Sequence, residues 1–512
     1  MGLAPCQHGS MTTSTLRTYC AAFASICLGL VVAGPKLVRA QEVAAPEWPA
    51  VPPVPDGDST LDVAIGGAEL RGHVQALSSD LLAGRPMGSD ESLVAAQYAA
   101  QALEAMGVQP GAEDGTYFQR IDLFKQNYEG PSELHLVAKN GDETTLYYGE
   151  GFTFDSAAAA LETGDLQCVM IAEESDIPAE PDPSIALIFQ TSAGRAAKWL
   201  RDAGFNRGTG FGLVIVPRKK SELGKGRSTK RAGALRPAVS AKGGIVAKMS
   251  GPWGSRAYEG ELSTVRFVPV GTIERRFDVN VIGVVPGVGT EEQPELKDEV
   301  VMLSAHRDHI GLYRQRGDQP LPDDIIMNGA DDDASGCAVV LEIAEAFAQG
   351  EAPARTLAVV LVTGEEVGMV GSGYWASSPT VAPEKVVCAL NFEMLGRPDP
   401  LTDGPGNVWL TGFERSDLGP SLIEHGVKVT PDVRPKQNFF VRSDNVSFAR
   451  IGIVSQTLSS FGGHSDYHKA SDEWDSLDYD HMESAAAVSL AAVRDLVSGR
   501  WKPKWNEGEP NF

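Results

Sequence analysis

No two cysteines in the 512-residue chain have the spacing of a zinc knuckle, so no thiolate metal site of that kind is encoded. Of the six cysteines, Cys6, Cys20 and Cys27 fall in an N-terminal stretch expected to be removed. Cys168, Cys337 and Cys388 remain, odd in number and far apart in apolar runs. Three buried thiols are expected, with one disulfide the alternative in an exported protein. Positive charge is also scarce: 44 Lys and Arg stand against 68 Asp and Glu, for a net charge of -24. Nucleic acid and anionic membranes are therefore poor partners, because phosphate binding needs a basic field. Long apolar runs are missing except near the N-terminus. There, Tyr19 to Gly34 is uncharged and mostly apolar, follows Arg17, and leads to Val38 and Ala40, small or branched residues suited to a cleavage site. No Asp or Glu occurs before Glu42. Residues 1–40 read as a secretory signal, too short and too rich in Ala and Gly to prefer spanning a bilayer. A periplasmic or secreted protein is expected, without stable membrane insertion once the signal is removed.

What is present is organised in blocks. A Pro/Ala-rich linker covers 41–58. From about Leu61 to Gln119 the pattern is helical, with Ala95 to Leu103 in good helix formers and Gly107 as the stop. Residues 126–270 change texture to short strands, many glycines and one isolated helix. Within them Ile185–Phe189, Ala196–Ala203 and Gly212–Val216 form a strand, helix, strand unit, and Arg218–Arg231 a basic, solvated loop. From Asn280 onward, apolar strands at Val281–Val285, Val300–Leu303, Leu357–Val362, Val386–Leu390 and Ile451–Val454 alternate with helices. One helix starts near Ala334 and places Val340, Ile343, Ala344 and Phe347 at i, i+3, i+4 and i+7. Strands buried on both faces imply an α/β fold, a mostly parallel mixed sheet flanked by helices, with a smaller β-rich α/β domain inserted. The peptide-chain blocks are thus 59–125 and 271–500 for the main domain, 126–270 for the insert, and 501–512 for a tail.

In such sheets the polar residues at strand C-terminal ends surround a crevice. His306 and Asp308 follow the Val300 strand in SAHRDHIG, and the triple Asp331-Asp332-Asp333 comes next in MNGADDDASG. Glu365 and Glu366 follow the Leu357 strand in TGEEVG, Glu393 the Val386 strand in NFEM, and His468 lies past the Ile451 strand in HSDYHKASD. Taken singly each is an ordinary surface or core-edge group. Together, in order, at four strand ends, two imidazoles and several carboxylates without a thiolate suit a pair of zinc ions sharing a carboxylate.

The motifs AHRDH, NGADDDASG, TGEEVGMVGS, NFEMLGR and YHKASD resemble those of the zinc-dependent aminopeptidases of clan MH. These are co-catalytic dizinc exopeptidases of leucine-aminopeptidase type, related to glutamate carboxypeptidase and the transferrin receptor ectodomain. The resemblance covers about Asp56–Lys125 and Val279–Val497, and the intervening segment is similar to a protease-associated domain. It implies a dizinc exopeptidase (phosphorylase/hydrolase-like) fold and two Zn2+ per chain. Asp332 would bridge the ions, with Glu366 and His468 completing one and His306 and Glu393 the other. Glu365 would be the general base, taking a proton from a metal-bridged water and returning it to the leaving amine. Asp308 would orient His306, and Tyr467 would hydrogen-bond the developing oxyanion. Asp331 and Asp333 would support the turn or cap the helix that follows.

Three departures stand out. Arg307 occupies a position that is often aromatic, which implies a different pocket edge. Glu393 replaces a frequent Asp, and Asn445 a frequent His. The implied activity is removal of N-terminal residues from peptide substrates. The alternatives are a carboxypeptidase, dipeptidase or other amidohydrolase on the same centre, a receptor-like relative without chemistry, and a one-zinc glutaminyl cyclase; the intact ligand set argues against the last two.

Overall fold

The computed structural model describes residues 65–127, 132–148, 151–154, 163–203, 211–217, 236–237, 245–268, 272–313 and 321–512. The signal and linker expected in 1–58 and the basic loop of 218–231 lie outside them, as do Cys6, Cys20 and Cys27.

The main layer is built from α1 (Gly67–Leu77), α2 (Asp90–Ala105), β1 (Phe118–Asn127), β2 (Thr272–Val285), β3 (Val300–His306), α3 (Gly336–Ala348), β4 (Thr356–Val362), α4 (Val370–Ser377), β5 (Val386–Glu393), β6 (Val408–Leu410), β7 (Val429–Pro431), α5 (Asn445–Ala449), β8 (Ser455–Ser459) and α6 (Tyr479–Val497). The sheet runs β7-β6-β8-β5-β3-β4-β2-β1. Its centre, β8, β5, β3 and β4, is parallel, while β2 joins β4 and β1 joins β2 in antiparallel pairs. Every residue of β3 is buried, as two-sided cover by helices requires. Along β4 the two cores alternate: Leu357, Val359 and Leu361 face the cluster that includes α1, α2, α3 and α6, and Ala358, Val360 and Val362 face Trp375 and Phe448. The mixed α/β architecture expected from the alternating apolar runs is the one observed.

Local chemistry explains the helix starts. Ser89 caps α2, its side chain accepting from Ser92 N at 3.0 Å, with Asp90 and Glu91 in the first turn. Asp478 caps α6 in the same way through His481 N at 3.0 Å. The continuous helical pattern of the N-terminal block is, however, interrupted. Ala83, Gly84 and Arg85 are consecutive left-handed residues (φ 45°, 71° and 49°), so the chain reverses between α1 and α2. Another difference concerns the last strand: Ile451–Val454 is a turn, and the strand is Ser455–Ser459. That strand is polar in composition and fully buried. Two of its side chains are satisfied across the fold, Gln456 donating to Thr411 O at 2.7 Å and Thr457 to Asn445 Oδ1 at 2.9 Å.

Between β1 and β2 lies a second sheet of eight strands. Four of them, Leu166–Ile171, Ile185–Phe189, Leu213–Pro217 and Ile245–Met249, are parallel neighbours. The helix Ala193–Asp202 links the middle two, the anticipated strand, helix, strand unit. Cys168, Cys337 and Cys388 are free thiols, the last two buried. The tail is docked: Trp505 Nε1 donates to Gly452 O at 3.2 Å and Phe512 stacks on Phe440. Among the described residues no helix is long and apolar enough to cross a membrane.

Leu490, on the inner face of α6, is 4% exposed. Truncation by Leu490→Ala is expected to lower the unfolding free energy by about 2–5 kcal/mol in denaturant titration. A loss below about 1 kcal/mol would contradict a packed α6.

Candidate metal centre

The four parallel strands end together and deliver the candidate residues to one place. His306 is the last residue of β3 and Glu393 the last of β5. β4 ends at Val362, three residues before Glu365. Beyond β8 the chain passes Phe461 and His464 to Tyr467 and His468, where His468 takes a left-handed conformation (φ 57°). The triple Asp forms one tight turn, Ala330–Ser335, entered through left-handed Gly329 and containing a cis peptide between Asp332 and Asp333. Gly329 has no substitute here, since a Cβ would lie 2.2 Å from Asp332 O.

Asp332 is the point of convergence. Its Oδ1 lies 3.1 Å from His306 Nε2 and its Oδ2 3.1 Å from His468 Nε2. Glu366 Oε1 is 3.3 Å from the same His468 nitrogen and 2.8 Å from His309 Nδ1. His309, Asp332 and Glu366 each offer an atom within 4.8 Å of the others. Sequence reasoning missed His309; the signal was a second imidazole three residues after His306 in AHRDHIG. Glu365 and Glu393 line a pocket with Asp332, so the structure brings all six expected metal and base residues into one neighbourhood. Tyr467 lines that pocket as well, stacked on His468 with ring centroids 3.8 Å apart.

The flanking aspartates hold the frame. Asp333 accepts from the N–H of Gly336, the first residue of α3, at 3.1 Å, from Met394 N at 3.0 Å and from His306 N at 3.1 Å. One carboxylate thereby ties the ends of β3 and β5 to the turn. Asp331 accepts from Gly396 N at 2.8 Å and lies 2.9 Å from His464 Nε2. Asp472, not anticipated, accepts from the backbone N–H groups of Asp331 and Asp332, each at 3.1 Å.

One expectation needs correction. Asp308 faces the imidazole of His306 with its backbone carbonyl, 3.1 Å from Nδ1, while its carboxylate stands 3.8 Å away and accepts from Glu365 N at 3.1 Å. Its carboxylate is held instead by the Glu365 N–H, in the segment that follows β4. Arg307 does not edge the pocket. It is fully buried and points away, bonding to Asp278, Val279 O and Ser92, because alternate residues of an extended segment face opposite sides. Asn445 is likewise structural, donating to Phe440 O at 3.0 Å.

So many carboxylates in a buried space perturb one another. Burial disfavours charge on Asp332, yet His306 and His468 hold its carboxyl well below the usual range. Burial, reinforced by Glu393 and Asp444, pushes Glu365 well above its ordinary value. Burial also raises Glu393 to about 7. His468 rises to about 9, since Asp332 and Glu366 outweigh its burial. Meanwhile His306 Nε2, both ring nitrogens of His309 and Glu366 Oε1 are buried without a well-directed hydrogen bond. Converging lone pairs of imidazole and carboxylate that lack donors fit hard or borderline divalent cations, zinc among them.

Residues 280–493 match peptidase family M28. Leucine aminopeptidase 1 of Coccidioides posadasii (strain C735) is 29% identical over 219 residues, 40% of this chain and 54% of that protein. The protein of the same name from Ajellomyces capsulatus (strain NAm1 / WU24) is 30% identical over the same shares. An aminopeptidase from Aneurinibacillus sp. strain AM-1 shares 19% identity with a TM-score of 0.45, covering 86% of this chain and 98% of that one. The chain spans about half the length of the curated relatives it matches. All the converging ligand candidates lie inside the M28 segment.

The perturbed groups set a pH dependence. Glu393, raised from 4.5 to about 7, favours folding at low pH; that contribution is lost as pH rises between those values. His468, raised from 6.5 to about 9, contributes stability that is lost as pH climbs through about 9. Both act in one direction. The melting temperature of the metal-free protein should therefore fall between pH 5 and pH 9, and added zinc should raise it more at pH 8 than at pH 5.5. Calorimetry showing the reverse order would contradict this electrostatic description.

Proposed function

We propose that the chain is an exported zinc-dependent aminopeptidase acting on peptides. The observation that carries this reading is the convergence of His306 and His468 on Asp332 and of Glu366 on His468, with Glu365 lining the same pocket as Asp332. Asp332 would bridge two zinc ions, with His306 and Glu393 completing one and Glu366 and His468 the other; His309 would buttress Glu366. When bound, the ions would polarise the scissile carbonyl and lower the pKa of the attacking water.

The remaining work falls to this chain's own groups. The backbone of Glu365 is pinned by Asp308, and its carboxylate makes no close contact with the converging imidazoles, which leaves it free to take a proton from water and return it to the leaving amine. Its elevated proton affinity suits that exchange. Tyr467 is held rigid by stacking, and burial keeps its phenol protonated, ready to donate to the developing oxyanion. The carboxyl groups of Asp332, Glu365 and Glu393 offer acceptors to a free α-amine, while Met394, Trp409, Phe439 and Phe461 offer an apolar surface to the first side chain. Residues 1–40 are assigned as the signal. Residues 126–270, which include the second sheet, are assigned as a protease-associated-type insert.

Glu365→Gln should lower kcat about 10²- to 10⁴-fold while zinc binding is retained; an unchanged kcat would remove Glu365 from the mechanism. The polarity of cleavage is tested with two peptides. Hydrolysis should be stopped by chelation, restored by zinc, and blocked when the N-terminus is acetylated, yet proceed when the C-terminus is amidated. Cleavage of the acetylated peptide with survival of the amidated one would overturn the aminopeptidase reading.

A further inference from the structure

Arg85 lies nearly two hundred residues before the M28 segment, in the reversal between α1 and α2. Its side chain is fully buried. Among the described residues no carboxylate stands within ion-pair distance of it. Instead its guanidinium donates to four backbone carbonyls. Nε reaches Arg307 O at 2.7 Å, Nη1 reaches Asn328 O at 2.6 Å and also Leu77 O, and Nη2 reaches Gly329 O at 3.0 Å. Four of its five N–H groups are thus spent on main chain. This is an unusual use of a buried cation, because burying an unpaired charge is costly.

The acceptors explain the expense. The Arg307 carbonyl lies between His306 and Asp308. Those of Asn328 and Gly329 enter the turn that presents Asp332. One planar fork therefore joins the loop bearing one imidazole to the turn bearing the central carboxylate. The surrounding backbone is tailored to this approach. Arg85 is left-handed (φ 49°), and its own carbonyl accepts from His309 N at 3.4 Å. At Gly84 a Cβ would meet Met327 O at 2.3 Å and Gly311 Cα at 2.8 Å, so the segment sits directly on the paired short strands Gly311–Leu312 and Ile326–Met327 that flank both loops. Burial lowers the proton affinity of the guanidinium, and the negative field of Asp308, Asp332 and Asp472 offsets part of that cost over a longer range.

We infer that Arg85 is a positioning residue for the metal centre: by bonding the carbonyls of Arg307, Asn328 and Gly329 it sets the separation of His306 and Asp332, and so the affinity for zinc. The inference rests on the zinc reading of the site. It makes an N-terminal segment outside the family-matched region part of the machinery. It also predicts that the geometry of the fork matters beyond its charge, since a lysine offers three donors from a single point and cannot span three carbonyls.

The test compares Arg85→Lys and Arg85→Met with Leu490→Ala, a core truncation in α6, a helix that carries none of the ligand candidates. Zinc dissociation constants are measured by chelator competition well below each melting temperature. Melting temperatures are recorded for metal-free and zinc-loaded protein, and kcat and KM are measured on an aminoacyl anilide. Both Arg85 variants should bind zinc about 10- to 100-fold more weakly, with kcat reduced and KM within about two-fold of the parent's, an expectation for a group that positions without touching substrate. Leu490→Ala should lower both melting temperatures and leave zinc affinity unchanged. If the Arg85 variants behave as Leu490→Ala does, Arg85 is a stability residue only and the inference fails. Should Arg85→Met not fold, Arg85→Lys, which keeps volume and charge, decides the outcome by the same zinc measurement. Absence of zinc binding by the unsubstituted protein would instead sink the functional reading of the site.

Discussion

Charge compensation around Asp332 is the constraint on which the rest of the structure depends. Asp331, Asp332, Asp333 and Asp472 are all buried within one turn and its neighbour, where unpaired carboxylates would be strongly destabilising. Each has its own answer. Asp332 faces His306 and His468, Asp331 faces His464, Asp333 takes three backbone N–H groups, and Asp472 takes the N–H groups of the turn itself. Only Asp332 directs both oxygens to imidazoles at the pocket. A run of three acids has thereby been divided into one open to ligation and two committed to the frame.

That division needs a rigid support, which the parallel strands supply. Their C-terminal ends lie side by side, so residues far apart in the chain meet without long loops. Asp333 then links β3 to β5 through two backbone amides, and a shift of either strand would be felt at His306 and Glu393. Behind this layer stand two buried arginines. Arg85 holds the carbonyl of Arg307, and the guanidinium of Arg307 holds Asp278 and Ser92 at the start of α2. The N-terminal helices are thus coupled to the site by hydrogen bonds as well as by apolar packing. The polar strand β8 adds a comparable network on the other side, through Gln456 and Thr457.

The alternation of buried strands and an amphipathic helix was legible because burial on both faces imposes continuous apolar runs, as in β3 and β4. The positions of His306, Glu365, Glu366 and Glu393 were legible for a related reason, since polar residues ending such runs have few places to go. β8 was misplaced to Ile451–Val454 because its Gln456 and Thr457 side chains are satisfied by distant partners, and no local pattern records a partner. The break at Ala83–Arg85 was locally signalled by Gly84, Pro86 and Gly88, and was missed because the helical patterns on either side were read as one block. His309 was passed over since its neighbours His306 and Asp308 already fitted a ligand pattern.

The sequence by itself determined the chemistry of the donors: imidazole and carboxylate without thiolate, set at strand ends in an acidic chain. Residue type and period suffice for that, because they are local properties. Only the tertiary structure decided direction. It turned the Arg307 side chain away from the pocket, gave His306 the carbonyl of Asp308 in place of its carboxylate, and brought Arg85 under both ligand-bearing loops. Those outcomes depend on which backbone groups lie opposite one another after folding, a relation between remote segments that no single stretch of chain contains.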